Sequence, residues 1–204
     1  MNYQRLLEAE IEKNKDVRPR LLLHACCAPC SSYVLEYLTQ YFEITLYYYN
    51  PNITDPAEYE KRVSEAERLI RLLPHTGEIP LVRGPYDPER FLAMAKGRET
   101  LPEGGARCFD CYRLRLEEAA RYTAEHREDY DYFATTLTVS PHKNCEWLNK
   151  IGKEVAKTYG VTYLPSDFKK KGGSLRSIEL SREYGLYRQD YCGCEFSRRL
   201  KHGE

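Results

Sequence analysis

The chain reads as an α/β protein with a parallel sheet flanked by helices and a Cys-bearing C-terminal extension. Three observations predict this. Arg20 to Ala25 (RLLLHA) is a short, continuous apolar run, the pattern of a strand covered on both faces of a parallel sheet. Further runs of this kind alternate with longer amphipathic segments, as βαβ units require. The length of 204 residues and a 42% hydrophobic content suffice for one such domain.

The elements follow in order. A charged amphipathic helix is expected over Tyr3 to Lys13. The first strand, Arg20 to Ala25, breaks at Cys26-Cys27-Ala28-Pro29-Cys30, and Ser31-Ser32 is expected to cap a helix running to Leu38. Ile44 to Tyr49 reads as a second strand ending at Asn50-Pro51-Asn52. Asp55 caps a long helix with Pro56 in its first turn, ending near Leu73. Ile79 to Val82 is a third strand and Pro88 to Ala95 a short helix. Lys96 to Arg107, rich in Gly and charge, reads as a loop before a helix over Phe109 to Glu125. Tyr132 to Thr136 is a fourth strand, His142 to Tyr159 a helix, and Val161 to Leu164 a fifth strand. A short helix around Leu175 to Tyr184 precedes the Cys-bearing tail. No repeat or low-complexity tract interrupts the pattern. The whole of 1–204 is expected to form one domain, in which 166–204 completes the active site.

Charge excludes little. Charged residues make up 30% and balance to zero net charge. From Ser166 onward nine Lys or Arg face six Asp or Glu, a local +3 that suits a polyanion as well as an ordinary surface patch. No apolar run approaches the roughly 20 residues of a membrane span. The first helix lacks the apolar core of a signal peptide, so a cytoplasmic location is expected.

In a reducing compartment the eight Cys read as metal ligands or catalytic thiols rather than as a disulfide framework. Seven fall in three groups: Cys26-Cys27-x-x-Cys30, Cys108-x-x-Cys111 and Cys192-x-Cys194. Such spacing lets thiolates converge on one metal or cluster, or form a redox dithiol. Zinc needs only four ligands, whereas helix N-termini beside Cys30 and Cys108 favour thiolates and an anionic iron–sulfur cluster. Cys145, beside Trp147, reads as packing.

Other residues carry two readings each. His24, inside an apolar strand, suits a satisfied core histidine better than a ligand. Asp110 fits an oxygen ligand or a solvated cap. Thr135 to Thr138 and Ser140-Pro141-His142-Lys143 make a hydroxyl-rich strand end that suits substrate, phosphate or a helix cap. Asp167 and Tyr191 are candidates for proton transfer. Neither G-x-x-x-x-G-K-[ST] nor G-x-G-x-x-G appears. In a parallel sheet, ligands bind beyond the carboxyl ends of the strands, where both the first Cys group and Ser140 to Lys143 fall.

Five stretches, His24 to Ser31, Arg107 to Arg115, Thr135 to Lys143, Asp167 to Lys170 and Tyr191 to Cys194, together resemble the QueH-type epoxyqueuosine reductases over nearly the whole chain. The resemblance implies two-electron reductive removal of the epoxide oxygen of epoxyqueuosine at the wobble position of a tRNA anticodon. That is the last step of queuosine biosynthesis, and it is cobalamin-independent. It implies a fold like the HUP or PP-loop nucleotide-hydrolase domains, with Cys26 to Ser32 in place of their phosphate loop and no ATP. It also implies a [4Fe–4S] cluster on three Cys and one Asp, a neighbouring mononuclear iron on further Cys, a tRNA with a GUN-type anticodon as partner and an external electron donor.

On that basis Cys108, Asp110 and Cys111 with one of Cys26 or Cys27 are expected on the cluster. The rest of the first group would hold the second iron. Cys192 and Cys194 would complete that site or form a dithiol, with Asp167 or Tyr191 as acid. Lys169, Lys170, Lys171, Arg176, Arg182, Arg198 and Arg199 would hold anticodon phosphates, and Ser140, His142 and Lys143 the substrate. Three rivals remain: a Cys-dependent tRNA-thiolating enzyme, a zinc-binding module, and a thiol–disulfide oxidoreductase.

Overall fold

In the computed structural model, residues 1–74 and 77–202 are described, with the side chains of 199–202 outside the description. The elements are α1 (Tyr3–Lys13), β1 (Arg20–His24), α2 (Ala28–Leu38), β2 (Glu43–Tyr48), α3 (Pro56–Leu72), β3 (Leu81–Arg83), α4 (Pro88–Ala95), α5 (Ala106–Glu125), β4 (Tyr132–Thr135), α6 (Cys145–Tyr159), α7 (Gly173–Glu183) and α8 (Glu195–His202). Short 3-10 turns cover Thr136–Val139 and Lys170–Gly172.

The sheet is four-stranded and wholly parallel, in the order β3-β2-β1-β4. β1 lies at its centre and explains the continuous apolar run. Leu21, Leu23 and Ala25 face one core with α2 and α3, and Leu22 faces the other with α5 and α6. β2 and β3 follow on one side of β1, and β4 lies on the other. The chain order therefore reverses between β1 and β4, and the crevice beyond their carboxyl ends is where such sheets bind ligands.

Several boundaries differ from the sequence expectation. The fifth strand is absent among the described residues. Only a single bridge joins Phe133 to Tyr163, because the left-handed cap at Gly160 ends just before it and Pro165, which has no N–H to donate, follows at once. α2 begins before Ser31 and Ser32: Cys27 is its N-cap and Pro29 sits in its first turn, where a missing N–H costs nothing. Those serines instead bond back to the carbonyls of Cys27 and Pro29. α5 starts at Ala106 rather than Phe109, so Cys108 lies inside its first turn. α6 starts at Cys145, because Asn144 accepts the Trp147 N–H and caps it there. The tail forms α8, which the sequence reading left without structure.

Among the described residues no helix is long and apolar enough to cross a membrane.

Candidate metal and substrate site

The first thiol group is built by the turn from β1 into α2. Cys27 caps the helix and Cys30 lies one turn along, so both thiols share its N-terminal end. The Sγ atoms of Cys26, Cys27 and Cys30 all lie within 4.8 Å of one another. Cys26 and Cys27 are 3.8 Å apart, the edge of a tetrahedron drawn around one ion with bonds of about 2.3 Å. This group can therefore bind a metal. Hydrogen bonds from the Cys27 and Cys30 thiols, the charge of Arg115 and the Thr136 hydroxyl outweigh burial and hold Cys26 well below the ordinary thiol range. Cys27 is pushed up to about 11, because its own thiol proton is committed to Cys26.

The second group is assembled by tertiary contact. Cys108 and Cys111 come from the first turns of α5, and Cys192 and Cys194 from the tail. Together they line a small cavity with Asn52, Arg107, Arg115 and Lys143. Burial raises Cys111 to about 11. A hydrogen bond from Cys194, aided by the charge of Lys143, brings Cys192 down to about 5 against burial. Burial opposes the charge on Lys143, but Cys192, Tyr112 and Cys26 together outweigh it and raise the ammonium.

The tail reaches this position because α3 grips it. Arg68 donates to the carbonyls of Tyr184 at 3.1 Å and Gly185 at 2.8 Å, and Glu65 accepts the Tyr187 N–H at 2.7 Å. Glu58 takes the Tyr187 hydroxyl at 3.1 Å and pairs with the buried Arg62 at 2.6 Å. Arg62 donates to the Tyr191 carbonyl at 3.4 Å, and Asn52 to that of Cys192 at 3.1 Å. Gly193 completes the turn at φ +100°, where an added Cβ would lie 2.6 Å from Ile53 and 3.1 Å from Arg62.

A cleft of about 720 Å³ opens over the first group and reaches Cys192 of the second. Cys26, Cys27, Cys30 and Cys192 line it, as do Ser140, His142 and Lys143 beyond β4 and Tyr191 in the tail. Those predicted residues do come together. The sequence reading overlooked Arg62, Arg115, Arg188 and Gln189 in the same lining. Arg115 had a readable signal, since it lies one turn beyond Cys111 on α5.

Other predicted residues fall elsewhere. Asp110 is not in the lining of either cavity but pairs with Arg98, because its position on α5 turns it toward the preceding loop. Asp167 is buried off the cleft, its carboxylate 2.8 Å from Lys169. Lys171 pairs with Glu8, and Arg176 with Glu36 at 2.6 Å. None of Lys169, Lys170, Lys171 or Arg176 lines the cleft. Arg182 is exposed on α7, Arg198 lies 5.9 Å from the Tyr191 ring, and the Arg199 side chain lies outside the described residues.

His24 is a core histidine, as expected. It is fully buried, with Nδ1 2.9 Å from the Thr135 hydroxyl and Nε2 3.0 Å from the Tyr49 carbonyl. The Tyr49 carbonyl can only accept, so Nε2–H donates to it, and Nδ1 of the neutral ring accepts from the Thr135 hydroxyl. Cys145 is likewise enclosed, donating to the Ser166 carbonyl at 3.4 Å.

The family model for "Epoxyqueuosine reductase QueH" matches residues 21–200, a span that holds all seven grouped thiols. Curated proteins of that name are similar throughout. The one from Staphylococcus epidermidis is 44% identical, covering 97% of this chain and 84% of its own length. That from Streptococcus pyogenes is 42% identical over 98% and 80%, and that from Thermotoga maritima 35% over 90% and 94%. Coverage of this extent, with the thiols gathered at two adjoining cavities, leads to one assignment: the chain belongs to the epoxyqueuosine reductase QueH family.

Proposed function

We propose that this chain removes the epoxide oxygen of epoxyqueuosine in the anticodon of a tRNA by iron-dependent reduction. In the balanced reaction two electrons from an external donor and two protons enter. Both carbon–oxygen bonds of the epoxide break, a carbon–carbon double bond forms and the oxygen leaves as water. The convergence of seven thiols on two adjoining cavities, which share Cys192, carries the proposal.

The donor set fits iron. Cys26, Cys27 and Cys30 are close enough for a single ion and leave a fourth position open. Cys108, Cys111, Cys192 and Cys194 offer the four thiolates that a [4Fe–4S] cluster takes. This partition differs from the one expected from sequence, which put Asp110 on the cluster and gave Cys192 and Cys194 to the second iron or to a dithiol. When bound, iron at these groups supplies electrons one at a time and a Lewis-acid position for an oxygen atom.

The chain's own residues do the rest. Tyr191 lines the cleft, and burial raises its phenol, so it keeps a proton to give to the leaving oxygen. Asp167, off the cleft and paired with Lys169, does not serve as the acid. Ser140, His142 and Ser177 offer polar contacts to the substrate nucleotide, and Lys143 and Arg188 offer charge to its phosphates. Reaction on a tRNA suits the cytoplasm.

Anaerobic purification, iron reconstitution and reaction with epoxyqueuosine-containing tRNA test this, with nucleosides read by mass spectrometry. Queuosine formation with iron present is expected. No queuosine from iron-loaded protein would refute the activity, and colourless protein with stoichiometric zinc would refute the cofactor.

A further inference from the structure

Two guanidinium groups are buried beside the thiols, and among the described residues neither has a carboxylate in direct ion-pair contact. Arg115 is 3% exposed and Arg107 1%. Arg115 reaches the neutral side-chain oxygen of Asn50, and its Nε–H has no partner. Arg107 spends one Nη on the carbonyls of Arg98, Glu99 and Leu101, each at 2.8 Å, and leaves Nε and its other Nη unpartnered. The Phe196 ring covers it at 5.1 Å. The one carboxylate lining the small cavity, Glu103, accepts from Ser197 at 2.8 Å. Burying a cation is costly unless an anion lies close. Glu103 keeps its charge, but it is a single carboxylate for two guanidinium groups, and the thiols lining the same cavity are the further groups able to supply anions.

α5 dictates the placement. Arg107, Cys111 and Arg115 follow at four-residue intervals and Cys108 sits beside them, so all four share one helix face. The two arginines differ in reach. Arg107 lines only the small cavity of the four-thiol group, whereas Arg115 lines both that cavity and the cleft over Cys26, Cys27 and Cys30.

We propose that Arg115 is a positioning residue shared by both thiol groups, its charge balancing the anionic metal–thiolate centre at each, while Arg107 serves the four-thiol centre alone. This rests on the reading of the thiols as iron ligands. Reduction adds negative charge to such a centre, so a fixed cation nearby favours the reduced form and raises the potential. One cation shared by two centres also couples them.

The test is potentiometric titration of the iron-loaded protein, followed by absorbance and electron paramagnetic resonance, together with iron release to a chelator. Cys26→Ser and Cys194→Ser proteins assign the signals to the two groups. Arg115→Gln should lower the potential of both centres and speed iron loss about tenfold. Arg115→Lys, which keeps the charge, should recover most of both effects. Arg107→Gln should move the four-thiol centre only. Asn50→Asp supplies a carboxylate that cancels the charge in place, and should act like Arg115→Gln in a chain that keeps the arginine. Unchanged potentials in folded, iron-loaded Arg115→Gln and Asn50→Asp would overturn the proposal and leave the iron reading intact. Equal shifts in Arg115→Gln and Arg115→Lys would also overturn it, as the mark of a packing role. Wild-type protein that takes up no iron would overturn the iron reading and this proposal together.

Discussion

The thiols of Cys26 and Cys27 lie 3.8 Å apart where β1 turns into α2, although they are neighbours in sequence. Adjacent residues in a strand point to opposite faces. The turn brings them together because Cys27 is already the helix N-cap while Cys26 still follows the strand. Cys26→Ser or Cys27→Ser should therefore lower iron per chain and cut tRNA reduction by at least about 100-fold, beyond what loss of an outer-shell partner costs. Cys145→Ser should keep both. Burial holds the Cys145 thiol up at about 11, so it stays protonated, and a serine can still donate to Ser166. Iron analysis and a turnover assay on the three variants check this.

Gly193 controls the second group. At φ +100° with Ile53 and Arg62 close by, an alanine has neither the backbone freedom nor the space. Gly193→Ala should cost about 1–3 kcal/mol and displace Cys192 and Cys194. Denaturant unfolding should show the loss, and iron analysis should show the four-thiol group depleted while the Cys26 group still loads.

Salt-dependent tRNA binding separates the cleft from α7. Arg176 is committed to Glu36 and lies off the cleft, whereas Arg188 lines it. Arg188→Gln should weaken tRNA binding roughly fivefold to tenfold and lower the salt slope by about one. Arg176→Gln should leave both unchanged. The reverse ranking would move the tRNA surface to α7.

Glu118 sets an acid limit on stability. Its carboxylate is 2% exposed, yet Arg121 and Arg90 overcome burial and hold it below the ordinary Glu value of 4.5. A carboxyl lowered by folding stabilises fully above its unfolded value, and that stability is lost as pH falls through the folded one. Unfolding free energy should therefore drop as pH falls below about 4.5. Glu118→Gln should be about 3 kcal/mol less stable at pH 7, with the gap to wild type closing in acid. Urea melts across pH 3–7 measure it.

The parallel sheet was legible because RLLLHA needs cover on both faces. Asp55-Pro56 marked a helix start by its own chemistry, a side-chain cap followed by a proline in the first turn. The false fifth strand shows the limit. Val161 to Leu164 has strand composition, but pairing depends on what lies alongside, and only Phe133 does.

The sequence by itself determined the thiol chemistry, the position of Cys26 to Cys30 beyond β1, and the family, because spacing and composition are local properties. The tertiary structure alone decided that Cys192 and Cys194 meet Cys108 and Cys111, that Asp110 turns to Arg98, and that Lys169, Lys171 and Arg176 pair with Asp167, Glu8 and Glu36. The partners of Cys108 lie more than 80 residues away, and what brings them together is the grip of α3 on the tail. Such long-range pairing is set by which surfaces pack, and no local pattern records it.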